Sequence, residues 1–318
     1  MEQRKGIHWK FHSITRVSST LSYLLCDTDL SEWALVEGIT TPLKDPIGGK
    51  KYDVGASTYK CLYDDERIYF AMTIPGFYKF STEDNHMCAA LATMTKIGSA
   101  ATFYNMGGCA EPDALMDGCN ATTIDMCADH LVDIGAHWEL RTTTQGTMYD
   151  IGLANPGATS STSSAVQAQE LLPTGDDAIA NKDDEYGVSP YCRFDDNDDK
   201  AGNEWAGAWK HTKSVDGELG DYIFEMSRLL TTASTKTDAQ IQAGGTIEFG
   251  ISFWDPMQTE SGWTDAGHYV TGCGTQWVSL KLTETSPQDK TPEAETSGVM
   301  TLYSMRAAIA AALTALVF

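Results

Sequence analysis

The sequence predicts an all-β fold, a β-sandwich carrying a long polar loop insertion and ending in an apolar tail. Three observations carry this. Short runs rich in aromatic and β-branched residues recur along the chain, several with strict alternation. Turn-forming clusters such as DDE, DGE, AGG and SGW separate them. No long segment before the final tail keeps a helical period, and no strand–helix–strand alternation appears.

In chain order, residues 1–27 form an N-terminal segment without a clean apolar stretch, so no secretory signal is evident there. The predicted sandwich runs over 28–283. RIYFAMTI (67–74) has strand composition throughout. HWELRTT (137–143) is a further candidate strand. Residues 155–204 are dense in Ser, Thr, Asp and Gly and read as a long loop excursion with short ordered pieces. DYIFEMSRLL (221–230) alternates, with Ile223, Glu225 and Ser227 on one face and Phe224, Met226 and Arg228 on the other. TIEFGISFWD (246–255) and QWVSLKL (276–282) complete the set. A linker (284–306) leads to the apolar tail 307–318. Ser297 and Gly298, a short spacer and that tail resemble a glycolipid-anchor signal, with a membrane anchor or a terminal helix as rivals.

The 318 residues carry a net charge of −22, with a pI of about 4.5. Such a surface repels phosphate backbones and anionic membranes, so nucleic acid is not an expected partner. It suits an extracellular, salty medium. Eight cysteines include no C-x-x-C pair, which argues against zinc ribbons and redox motifs. Their even number points to disulfides in an oxidising compartment, with about 105 pairings open; buried free thiols are the alternative. Asn120-Ala121-Thr122 is a glycosylation triplet.

No nucleophile elbow, P-loop, zinc-protease or dinucleotide fingerprint is present. Asp195, Asn197 and Asp199 alternate as in calcium loops, but the glycine and closing glutamate of that motif are out of register, so a solvated acidic loop is the stronger reading. His130 and His137 flank LVDIGA. His268 stands at a loop-to-strand junction after Gly267, where it can reach a cavity at a sheet edge. In FYNMGGC (103–109), Met106 precedes two glycines, which allow a tight turn and close approach of a ligand.

Taken together, Arg228–Thr232, Phe249–Asp255, His268 and Trp277–Leu282, with FYNMGG upstream, resemble the haem-binding domain of the ethylbenzene dehydrogenase γ-subunit family, which is related to subunits of DMSO-reductase-class enzymes. The resemblance covers most of 28–283. It implies one non-covalent haem b, with Met106 and His268 as axial ligands. His268 stands where the family has lysine, and Glu139 replaces a family lysine upstream. Phe103, Tyr104, Gly107, Gly108, Trp254 and Tyr269 would line the pocket; Met126, Met94 and His137 are substitute ligands. A six-coordinate haem implies electron transfer with an unidentified redox partner rather than catalysis by this chain. The alternative is a carbohydrate-binding surface module of the same sandwich type, using Trp205, Trp209 and Trp263 in polar loops as a sugar platform. A purely adhesive domain is a third reading.

Overall fold

The computed structural model describes residues 12–16, 28, 30–45, 50–79, 87–101, 128–140, 149–150, 182–183, 185–188, 192–195, 205–262, 268–271 and 277–283. All lie in the first of the two units into which the chain divides, Met1–Pro287 and Gln288–Phe318. The fold is an all-β sandwich, as the sequence predicts. Its strands are β1 (His12–Arg16), β2 (Ile39–Lys44), β3 (Lys51–Tyr63), β4 (Arg67–Phe77), β5 (Ala90–Lys96), β6 (Leu131–Glu139), β7 (Tyr149–Asp150), β8 (Lys182–Asp183), β9 (Glu185–Val188), β10 (Cys192–Asp195), β11 (Trp205–His211), β12 (Leu219–Leu229), β13 (Thr246–Trp254), β14 (Tyr269–Val270) and β15 (Val278–Thr283). Among the described residues no helix is long and apolar enough to cross a membrane.

One layer runs β10-β9-β6-β5-β13 and the other β3-β4-β12-β11-β8. They are continuous along one side. There β14 and β2 bridge β13 to β3, and β15 and β1 bridge the same two strands further along. β1 is parallel to both its neighbours, and Thr283 Oγ1 donates to Ile14 O at 2.9 Å. The long β4–β12 ladder pairs Leu219–Leu229 with Arg67–Phe77.

Period-two patterning builds the core. Phe70, Met72 and Ile74 from β4, Phe224 and Met226 from β12, and Phe249, Ile251 and Phe253 from β13 share the buried space between the layers. Phe70 and Phe249 stack across it with centroids 4.7 Å apart and planes 10° apart. The opposite face of β12 is buried too, contrary to a simple inside–outside alternation. A short 3-10 segment, Leu30–Trp33, folds over it, and Glu225 accepts hydrogen bonds from Trp33 Nε1 at 2.6 Å and from the Thr28 backbone N–H. Trp33 packs there with Leu62, Tyr69 and Ala71.

Away from the continuous side, charge joins the layers. Asp133 on β6 and Arg228 on β12 form an ion pair, each with a side chain only 1% exposed. Asp133 also accepts from Trp205 Nε1 at 3.3 Å and from Ala239 N–H at 2.8 Å, while Arg228 donates to Ala239 O at 3.0 Å. Trp205 lies against Gly135, where a Cβ would fall 1.9 Å from the indole nitrogen. This answers why a glycine sits inside β6.

The structure departs from the sequence reading in several places. β6 begins at Leu131, ahead of the predicted strand 137–143. Its inward Asp133 and Gly135 break the apolar pattern and conceal the strand. The short ordered pieces expected in the polar stretch 155–204 are β8, β9 and β10, and β9 extends the sheet beside β6. Trp205 and Trp209, expected on polar loops, are buried on β11, because Trp205, Gly207, Trp209 and His211 alternate toward the core. They provide no sugar platform. Cys61 and Cys88 are buried free thiols, so for these two the disulfide expectation is overturned.

Asp133→Ala leaves Arg228 charged and buried, and should lower the unfolding free energy by about 3–5 kcal/mol. The double change Asp133→Leu, Arg228→Met should recover much of that loss. Urea unfolding of the three proteins measures both effects.

Candidate functional site

The end of the sandwich where β4, β11 and β13 finish and β3 and β12 begin gathers a cluster of polar aromatic residues. β13 controls the arrangement. Its inward residues end in Phe253, and its outward residues end in Trp254. Asp255 then leaves the strand. Its Oδ1 accepts the Met257 N–H at 3.0 Å and its carbonyl accepts the Gln258 N–H at 3.0 Å, so the aspartate makes its own turn.

On the inner side, Tyr52 packs 4.8 Å from Tyr269 and 5.9 Å from Phe253, and Tyr222 lies 5.6 Å from Phe253. Two of these hydroxyls are committed to backbone. Tyr52 Oη donates to Pro75 O at 2.9 Å, and Tyr222 Oη donates to Phe77 O at 2.9 Å while accepting from Lys79 N–H. The Asp255 carboxylate lies within electrostatic reach of all three tyrosines: burial raises their pKa values first, and Asp255 raises them further. Burial also raises the pKa of Asp255 itself, partly offset by the Met257 hydrogen bond. Asp255 and Tyr269 are each 7% exposed and Trp254 6%, whereas Tyr52, Tyr222 and Phe253 are sealed. The Asp255 carboxylate and the Tyr269 ring therefore form the least buried end of the aromatic column, while Trp254 belongs to the cluster on the other face.

Beside this column, His211 makes an edge contact with Tyr222 at 4.4 Å and lies 5.2 Å from Tyr78. Its Nδ1 accepts the Lys213 N–H at 2.9 Å and its Nε2 lies 3.2 Å from Gly76 O, which fixes the neutral Nε2–H form. Burial lowers its pKa below the ordinary 6.5, against smaller raising contributions from the Gly76 and Lys213 backbone and Asp221.

Of the residues singled out from sequence, Trp254 and His268 come into contact. His268 stacks on Trp254, with centroids 4.7 Å apart and planes at 29°. It is 3% exposed, with both ring nitrogens sealed from solvent. Tyr269 joins the inner core, while its neighbour Val270 packs on the other face with Trp254. Met94 is a core residue among Ala90, Ala92, Val132 and Ile134. His137 lies on β6. Met106, Phe103, Tyr104, Gly107, Gly108, Met126, Asn120 and Trp263 lie outside the described residues. Asp195 ends β10, and Asn197 and Asp199 lie outside them as well. Among the described residues there is no group of three metal-ligating side chains. Sequence reasoning missed Asp255, Tyr52 and Tyr222. A lone Asp before Pro256 reads as a strand stop, and isolated tyrosines in strands read as core.

No family model matches this chain, and no curated protein matches it. Among solved structures it is similar to a putative carbohydrate-binding protein from Bacteroides uniformis ATCC 8492, at 7% identity and a TM-score of 0.40, over 86% of this chain and 99% of that one. It is also similar to a carbohydrate binding module of family 9 from Caldicellulosiruptor kristjanssonii. The complex with glucose gives 10% identity and a TM-score of 0.38 over 87% and 98% of the two chains; the complex with cellotriose gives 10% and 0.35 over 88% and 98%. Likenesses at this distance assign no ligand. They nonetheless correct the sequence reading. The three similar structures named are carbohydrate-binding proteins by their descriptions and none is a haem domain, so the resemblance to the ethylbenzene dehydrogenase γ-subunit family and the reading of haem b electron transfer are not upheld.

The shifted groups give stability a definite pH dependence. His211 is harder to protonate when folded, so the stability from its neutral form is complete above 6.5 and is lost as pH falls through its depressed value. Urea midpoints should drop between pH 7 and lower pH, with a shallower drop in His211→Gln. Asp255 works the other way. Its carboxyl is raised from 3.8, so its contribution is present below that value and is lost as pH rises. Asp255→Asn should be at least as stable as the parent at pH 7.

Proposed function

We propose that this chain is a carbohydrate-binding module that works outside the cell, with its ligand site at the end of the aromatic column marked by Asp255 and Tyr269. One observation carries the reading. Asp255 is a carboxylate kept at the rim of an aromatic column, at a cost in desolvation, and its only hydrogen bonds among the described residues come from its own turn. Sugars suit such a place. Their C–H faces pack on aromatic rings, and their hydroxyls donate to carboxylate oxygens. Because Tyr52 and Tyr222 spend their hydroxyls on backbone carbonyls, they act as rigid walls and leave polar recognition to the tip. The high negative charge, −22 over 318 residues, fits a soluble protein in an extracellular medium.

A screen of the full chain against immobilised neutral, amino and acidic glycans tests this directly. Binding to at least one class is expected, and Tyr269→Ala and Asp255→Ala should each weaken it by about tenfold or more, as loss of a central contact does. Circular dichroism would verify that both variants keep the strand signature. A chain that retains no glycan from any class, while folded, overturns the proposal.

A further inference from the structure

Given that the site takes a carbohydrate, we propose that its ligand carries a protonated amino group which pairs with Asp255, making an amino sugar the preferred class over neutral or acidic sugars. The argument begins with the charge balance at the tip. Asp255 is 7% exposed, and no lysine or arginine among the described residues forms an ion pair with it. Its described partner is the Met257 N–H, a neutral donor. The two inner tyrosines give it nothing, because their hydroxyls are directed to Pro75 O and Phe77 O. The nearby lysines do not compensate. Lys44, Lys50 and Lys51 are exposed, and Lys50 faces Asp53 at 3.9 Å in an exposed pair.

The surroundings add to the negative potential. Asp53 and Asp45 act on Tyr269 in the same sense as Asp255. Ring faces are themselves negative, and tyrosines at 4.8 Å from each other beside a carboxylate make a setting that attracts a cation. A sugar hydroxyl could satisfy the hydrogen bond of Asp255 but would leave its charge unbalanced. An ammonium group supplies donors and charge together, and charge-assisted hydrogen bonds are about twice as strong as neutral ones. A uronate or sulfated sugar would be repelled by the same groups.

The test compares three β-1,4-linked oligomers of equal length, of glucosamine, N-acetylglucosamine and glucose, by titration calorimetry with the full chain at physiological ionic strength, where diffuse attraction to the acidic surface is screened. The glucosamine oligomer should bind about tenfold more tightly than the other two, as a partly buried charge pair allows. In Asp255→Asn all three should bind weakly and alike. Equal affinities in the parent chain overturn the amino-group inference while leaving carbohydrate binding intact. A preference that survives in Asp255→Asn traces it to overall charge and overturns the role of Asp255. If none of the three binds, the inference fails too, and the wider glycan screen decides the carbohydrate reading separately.

Discussion

The buried pair between Asp133 and Arg228 is the constraint on which the two-layer arrangement depends. A carboxylate and a guanidinium withdrawn from water are tolerable only when every remaining hydrogen-bonding group finds a partner. Here the partners come from several elements: the indole of Trp205 on β11, and the backbone N–H and C=O of Ala239 in the loop after β12. Satisfying one ion pair thus fixes the distance between β6 and β12, the rotamer of a large aromatic residue, and the path of a connecting loop. Gly135 follows from the same demand, since the indole lies where a side chain would be. The apolar core supplies the bulk of the driving force but does not choose a register so strictly.

The opposite side of the sandwich needs no such device because it is closed by backbone ladders through β14, β2, β15 and β1. Between a side held by hydrogen bonds and a side held by charge, the ends of the strands are left to carry function. At one end β13 places Trp254 and Asp255 on successive residues, facing opposite sides of the sheet. A single strand terminus therefore presents an indole to one cluster and a carboxylate to the other. Glu225 offers an instructive contrast. It is buried as deeply, yet both of its oxygens accept hydrogen bonds from within the chain, from Thr28 and Trp33. Two carboxylates of similar burial differ in how completely the fold answers them, and only the poorly answered one stands at the rim.

The fold class was legible because alternation in 221–230 and 246–255 is unbroken and the turn chemistry between strands is clear. Strands whose inward face carries charge or glycine were not. β6 hides its start behind Asp133 and Gly135, and both make sense only with Arg228 and Trp205 opposite them. Trp205 and Trp209 were misplaced for a related reason: the aspartate-rich stretch before them suggests solvent, while the spacing of the rings, read alone, suggests a strand. The site was legible in part. Trp254 and His268 do stack on each other, but Tyr269 turns to the other face, and the cofactor they were read for is not supported by the comparisons. Asp255 was not singled out, because nothing in a Trp-Asp-Pro sequence tells whether the carboxylate meets water or a tyrosine column.

The pairing of β1 with β15 has a consequence for how the chain acquires this structure. Ile14 and Thr283, joined by a hydrogen bond, are 269 positions apart in sequence, and β1 lies between β15 and β3. A nascent chain emerging in order exposes β1 first and its ladder partner last. β1 can meet β3 early, but its longer ladder with β15 must wait while the intervening strands are synthesised and β4 and β12 assemble. Closure of such a long loop is entropically slow, and topologies dominated by distant contacts fold slowly as a class. The β1–β15 ladder is therefore among the last pairings to form. Until it forms, the outer edge of β15 has no partner from β1, and an unpaired strand edge is a template for pairing with other chains.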